Sequence, residues 1–346
     1  PYKPSGQRYA AGIVAQNYGA SEVSSCVNSG TVTAPLGVAG ITLQLGVSGE
    51  SLLKGNLNYG MVTAEEPSDI NGAILGTAAA AGSTVTGNCF DSQINWQGAV
   101  AMTDGEGMEP LTTAALTSGK AVSGLDASLF DFAAGMYPAL KAFKAEPAVD
   151  AARRMVLTLG SGQTTDDVTS DASVASFSGL SWSLTRGDKF SLSGNTLKLS
   201  ISDADKVSAR DTLTASLGAY TKVLPLRAMP VLFAGKGTAS DPYQIASKAD
   251  MQALASSTTD DGCTYNGRYF KVMNDIDFGS DLYSPIAWGS TKFNADFDGN
   301  GKQFLNVTYG NQSTQYVAMF GEVGAKARLH DFTLASGSIG AAGYTA

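Results

Sequence analysis

Phe293-Asn-Ala-Asp-Phe-Asp-Gly-Asn-Gly-Lys-Gln-Phe-Leu-Asn-Val-Thr-Tyr309 is followed by AMFGEV (318–323) and ARLHDFTLASGSI (327–339), and the three pieces share one pattern. Short runs of alternating apolar and polar residues are broken by Gly and Asn turns, the pattern of brief β-strands. The front of the chain carries the same pattern as a degenerate repeat. Cys26-Val-Asn-Ser-Gly-Thr-Val-Thr-Ala34 recurs as Asn56-Leu-Asn-Tyr-Gly-Met-Val-Thr-Ala64, an offset of 56 − 26 = 30, and a weaker copy starts at Cys89-Phe-Asp-Ser92, a further 89 − 56 = 33 on. A second marker keeps the beat: Gly12-Ile13-Val14, Gly40-Ile41-Thr42 and Ala73-Ile74-Leu75, with isoleucine spacings of 28 and 33. A period of roughly 30 residues means stacked supersecondary units in which Ile13, Ile41 and Ile74 line one column.

Composition narrows the class. Of 346 residues 43% are hydrophobic but only 16% charged, against about 25% in ordinary globular chains, and 40 glycines help fill the gap. Such a surface, polar without being highly charged, suits sheet-rich extracellular proteins. A net charge of −8 with no basic run speaks against nucleic acid, which needs clustered Lys and Arg. No apolar run approaches the roughly 20 residues of a membrane span; the longest candidate, 73–81, is short and rich in Ala. The start at Pro1 and the end inside the repeat pattern read as a piece of a longer chain. Of three cysteines, Cys26 and Cys89 occupy similar places in the repeat and Cys263 lies apart. Free, buried thiols are the preferred reading, with a stacked Cys26–Cys89 disulfide as the alternative.

The chain divides into three segments. Residues 1–145 form a repeat array closed by an end-piece over 111–140, after which Lys144-Ala-Glu-Pro147 reads as a hinge. Residues 150–229 change to longer strands of period two, with Gly194-Asn195 marking a tight hairpin and Trp182 placed where a small sandwich would hold its largest core residue. Five to seven such strands suggest an immunoglobulin-like β-sandwich. Residues 231–346 open a second array, in which Ser247-Lys-Ala-Asp-Met-Gln-Ala-Leu-Ala255 has a capping-box start and a Met251/Leu254 stripe. That helix would cover the first coil, which begins near Tyr269.

GKGTASDPYQI (235–245), SKADMQALA (247–255), FKVMNDIDF (270–278) and FNADFDGNGKQFLNV (293–307) resemble, in order, the entry segment of the GLUG-repeat surface adhesins of Bacteroidota type. MFGEV, ARLHDFTLASGSI and the front copies resemble the repeat proper. The resemblance implies an all-β fold: two partial right-handed parallel β-helices flanking an immunoglobulin-like module. It implies a cell-surface or secreted adhesion role, without catalytic residues. The first array has no entry segment and the second no exit cap, so an uncapped coil at each would template strand addition. Its partner is then the remainder of the parent chain or a neighbouring copy stacked head to tail.

Parallel β-helices also serve polysaccharide lyases and glycosidases, so an enzyme is the competing expectation. The densest acids are Asp275 and Asp277, which share a face of a strand, with Asp281, Asp296 and Asp298; turn and ladder roles outweigh an acid pair. Asp296-Phe-Asp298-Gly-Asn300-Gly301 imitates the start of a calcium loop, but Val307 stands at the twelfth position in place of Glu. His330 is the sole histidine, and Asp331 beside it would point to the opposite face of a strand. No zinc set and no nucleotide motif is present, so neither catalytic residues nor a cofactor or metal site are expected. Tyr59, Trp96, Tyr283, Trp288 and Tyr309 are the aromatic positions at which a surface glycan could stack, each more naturally a core residue. The alternative to an adhesive scaffold is a carbohydrate-binding or polysaccharide-processing protein.

Overall fold

The computed structural model describes residues 8–64, 70–100, 103–202, 205, 207–280, 282–288, 291–309 and 318–339. It is all-β apart from three short helices among these residues, and it divides into two compact units: Pro1–Ser200 with Arg210–Ala228, and Ile201–Ala209 with Met229–Ala346.

The first unit begins as a parallel β-solenoid. Each coil lays two- to four-residue strands on those of the next, giving parallel ladders such as Tyr9–Ala11 on Gly37–Ala39 on Asn71–Gly72. Val27–Asn28, Leu57–Asn58, Asn88–Asp91 and Met108–Leu111 form another. The isoleucine column is real: Ile13 N–H donates to Ile41 O at 3.1 Å and Ile41 N–H to Ile74 O at 3.2 Å. Ile41 and Ile74 are wholly buried with Leu53, Leu75 and Phe90, whereas Ile13 on the first coil is 42% exposed.

Polar ladders run beside the apolar column. Asn56 Nδ2 donates to Asn88 Oδ1 at 2.8 Å and to Val23 O at 3.0 Å, and Asn56 Oδ1 accepts from Cys26 N–H at 2.9 Å. Cys26 therefore occupies the asparagine column. Cys89 instead pairs with Leu57, one residue along, because the coil step here is 32 rather than 33. The similarity of place expected for Cys26 and Cys89 is thus off by one register position. Both stand two coils apart, near 10 Å at about 4.8 Å per rung, too far for a disulfide, and all three thiols are free.

Gly40 shows why the coils can come this close. A Cβ there would lie 2.0 Å from Ala73 O and 2.6 Å from the Asn58 side chain. The end-piece packs along the flank of the solenoid. Helix α1 (Thr113–Leu116) and residues Val122, Leu125, Phe130 and Tyr137 cover Leu57 and Tyr59 of the second coil and Cys89 of the third. At the expected hinge, Lys144–Pro147, turn residues lead into helix α2 (Pro147–Arg154), which begins at the last of the four with Glu146 as its N-cap. Proline's fixed φ and missing N–H suit a first helical turn as well as they suit a linker.

The rest of this unit is two antiparallel sheets. One orders Leu157–Thr158, Ala172–Val174, Thr196–Leu199 and Phe190–Ser193; the other orders Leu180–Leu184, Ala209–Leu217 and Tyr220–Ala228. The hairpin at Gly194-Asn195 is present, with Ser193 opposite Thr196 and Gly194 at φ +59°. Trp182 is not the central core residue that its position suggested. It is half-buried against Ala151, Met155 and Ala215, and its indole N–H donates to Ala175 O at 2.9 Å. Only one face of its strand is partly covered, so α2 supplies the surface that a second sheet would have given.

The second unit is again a parallel solenoid. Tyr243, Phe270, Phe297 and Leu329 stand in register on successive strands, and neighbouring rings lie 5.2 and 6.4 Å apart. Helix α3 (Lys248–Thr259) carries the expected capping box at Ser247 and Asp250 and buries Met251 and Leu254 in that aromatic core. It runs four residues beyond the predicted segment. A box of this kind satisfies orphan N–H groups at the helix start, and the buried stripe supplies stability that so short a helix lacks alone.

Candidate functional site

Of the five aromatic positions suggested by the sequence, Tyr59, Tyr283 and Tyr309 are buried and Trp288 is half-buried. Tyr59 is buried, with its ring stacked 4.2 Å from Tyr137. Tyr283 and Tyr309 are buried in the second unit's core, 6.2 Å apart. Trp288 is half-buried beside the Gly321 turn. Tyr59 also borders a cavity of about 310 Å³ walled mainly by apolar residues such as Ile13 and Phe143, whereas Trp96 lines a pocket of about 320 Å³ in the first unit whose wall carries charged groups.

The turn that presents Trp96 is fastened by alternate residues. Asp91 Oδ1 accepts from Gln93 N–H and Ile94 N–H at 3.0 and 3.3 Å. Gln93 reaches the antiparallel part, donating to Gly160 O at 2.9 Å and Gln163 O at 3.0 Å. Asn95 braces the neighbouring coil through Gly60 O and Val62 N–H, both at 2.9 Å. With Gln93 and Asn95 so committed, Ile94 and Trp96 are left to face the cavity. The opposite wall comes from residues far away in sequence: Asp166, Arg210, Asp211 and Arg227. Arg227 Nε lies 3.3 Å from Asp166 Oδ1. Burial lifts the Asp166 carboxyl to about 6, against the pull of Arg227. Asp211 is held low despite burial by backbone N–H groups of Gly187, Arg186, Thr212 and Thr185, at 2.7–3.0 Å, so its oxygens are committed to a turn.

A second group of polar residues lies on the outer face of the second unit. Lys271, Asp298 and His330 stand opposite one another on successive coils, as do Tyr269, Asp296 and Arg328. His330 Nδ1 is 2.8 Å from Asp331 Oδ2 and Nε2 is 3.0 Å from Asp296 Oδ1. The expectation that His330 and Asp331 point to opposite faces is overturned. Asp331 has φ +59°, a left-handed kink that interrupts the strand's alternation and returns its carboxylate to the imidazole. Hydrogen bonds to Asp331 and then Asp296 raise the His330 pKa above its ordinary 6.5.

Ligating atoms of Asp298, His330 and Asp331 fall within 4.8 Å of one another. Both ring nitrogens are already engaged by carboxylates, so a metal ion would have to displace one of those contacts. The stretch imitating a calcium loop is a corner: Asp298 Oδ1 accepts from Asn300 N–H at 2.7 Å, Asn300 has φ +53°, and its Nδ2 donates to Val272 O at 3.1 Å. Asp275 and Asp277 are both exposed, flanking buried Ile276, and serve neighbouring coils. Asp275 accepts from Gln303 N–H at 2.9 Å, and Asp277 from Asn306 Nδ2 at 2.9 Å and Gly279 N–H at 2.8 Å. Those bonds hold Asp277 below its usual range. Asp281 lies outside the described residues.

One buried cluster escaped the sequence reading. Asp91 Oδ2 accepts from Tyr137 Oη at 2.6 Å and Thr113 Oγ1 at 2.7 Å. Lys222 Nζ is buried without a hydrogen-bond partner, 5.1 Å from the centre of the Tyr137 ring and 5.7 Å from that of Tyr59. Burial drops the lysine to about 8 and pushes Asp91 up. The signal was available: Lys222 shares period-two parity with Leu224 and Leu226, both buried. The cluster joins the solenoid flank, the end-piece and the strand Tyr220–Ala228.

No family model matches the chain, and no solved structure does. A curated protein, Halomucin of Haloquadratum walsbyi (strain DSM 16790 / HBSQ001), is 29% identical over 143 residues, covering 37% of this chain and 2% of that protein. The chain thus matches a small fraction of the length of its curated relative. No helix among the described residues is long and apolar enough to cross a membrane.

Proposed function

We infer that this chain is a non-enzymatic structural segment of an extracellular surface protein with an adhesive role, built on a GLUG-type repeat scaffold with an immunoglobulin-like module between repeat arrays. The observation that carries this reading is one-sided pairing at the outer coils. Among the described residues, each strand of the first coil, from Tyr9–Ala11 to Val32–Ala34, pairs on one side only. So do Arg328–Leu334 and Gly337–Ile339 in the second unit. Tyr9, Ile13 and Tyr18 are exposed at the first of these edges, Leu334 and Ile339 at the second. Open parallel edges with apolar side chains template further rungs. These come from the same polypeptide or from a neighbouring copy added head to tail. The partial match to a far longer protein and the order of the sequence motifs support a scaffold reading over an enzymatic one.

Light scattering from about 10 μM to 1 mM tests the contact between copies. Mass rising in steps of one chain, and abolished by Ile13→Glu, is the expected result. A constant monomer mass refutes contact between copies and leaves the coil edges to the parent polypeptide.

A further inference from the structure

The geometry points to a binding site for a neutral saccharide unit in the pocket between the third coil and the antiparallel sheets of the first unit. Trp96 would stack on the sugar's C–H face, with Gln97, Asp166 and Arg227 on its hydroxyls. Three observations converge. The cavity, about 320 Å³, is at the small end of ligand pockets and suits one or two sugar rings. Its wall combines an indole with apolar Ile94 and planar polar groups, the mixture that grips a ring with a C–H face and a hydroxyl rim.

Charge supplies the third argument. Asp166 and Asp211 are balanced by Arg210 and Arg227, so no net charge selects an anionic ligand. Asp211 is committed to its turn, whereas Asp166 meets Arg227 at 3.3 Å and retains acceptor capacity toward the cavity. The site is also rigid. Gln93 and Asn95 lock the turn on both sides of Ile94, so little ordering entropy remains to be lost on binding. This inference deepens the adhesive reading by naming a ligand class, and it stands whether or not copies stack.

The test is a titration of the intact chain with glucose, galactose, mannose, fucose, N-acetylglucosamine and N-acetylgalactosamine, with glucuronate as the charged control. Tryptophan fluorescence and saturation-transfer NMR give the readouts. At least one neutral sugar should bind saturably with a millimolar-range Kd, and glucuronate more weakly. Trp96→Ala and Asp166→Asn should each weaken binding at least about tenfold, while Trp288→Phe leaves it unchanged. Circular dichroism checks each fold, and Asp166→Asn decides the matter if Trp96→Ala does not fold. Absence of saturable binding by every neutral sugar overturns the proposal. So does a preference for glucuronate, or binding undiminished in a folded pocket variant. Light scattering of the same samples keeps this outcome separate from that of coil stacking.

Discussion

Replacing Asn56 by alanine tests whether the asparagine ladder holds the coils together or merely decorates them. The side chain is wholly buried and makes three bonds: from Cys26 N–H, to Val23 O and to Asn88 Oδ1. Asn88 Oδ1 keeps a partner in the variant, since it also accepts from Asn56 N–H at 3.1 Å. Cys26 N–H does not, whereas Val23 O, on a strand paired in register with Leu52–Lys54, keeps its ladder donor. Leaving that one buried polar group unsatisfied costs about 1–3 kcal/mol. Cys26 lies on the half-exposed first coil, where water can reach, which draws the expectation toward about 1.5 kcal/mol. Urea unfolding in a Trp288→Phe background reads the first unit alone, through Trp96 and Trp182. With a slope of about 3 kcal/mol/M the midpoint should fall by about 0.5 M. Gln16→Ala, which removes an exposed rung-to-rung amide pair to Gln44, is the control and should cost less than about 0.5 kcal/mol. An Asn56→Ala loss no larger than that of Gln16→Ala would refute the ladder argument.

Gly40→Ala should destabilise the first unit by at least about 2 kcal/mol in the same assay, because the added methyl meets the fixed backbone of Ala73. Lys222→Met should stabilise it by about 1–2 kcal/mol at pH 7. A drop from 10.5 to about 8 corresponds to about 3 kcal/mol of burial penalty at 1.36 kcal/mol per pH unit, less the lost attraction to two tyrosine rings. The folded lysine releases its proton first, so wild-type stability should gain from this group as pH rises from about 8 to 10.5, and the variant's advantage should shrink there in thermal melts. For His330 the sign reverses. Its raised folded pKa gives a contribution fully present below pH 6.5 and lost as pH climbs through the folded value. Melting of the second unit should show this loss, followed through Trp288, and His330→Ala should abolish it.

How far the sequence could be read depended on whether spacing or contact set the outcome. Local repetition determined the parallel coils, the isoleucine column, the Gly194-Asn195 hairpin and the capped helix over Met251 and Leu254, because each follows from side-chain period, turn chemistry or capping within a few residues. Spacing misled where a single residue was gained or lost between strands. The one-residue slip that put Cys26 in the asparagine column and Cys89 on the leucine column is invisible until hydrogen bonds fix the register. Likewise the left-handed turn at Asp331, which folds a neighbouring carboxylate back onto His330, reflects the corner of a coil rather than any residue preference.

The pocket and the buried lysine arise from long-range packing alone. Trp96 meets Asp166 and Arg227, and Lys222 meets Tyr59, Tyr137 and Asp91, across more than 60 residues of chain in every pair. Pairing rules within one strand carry no information about which distant segment will cover it. That choice belongs to packing, which sets both the cavity beside Trp96 and the desolvation that shifts Lys222.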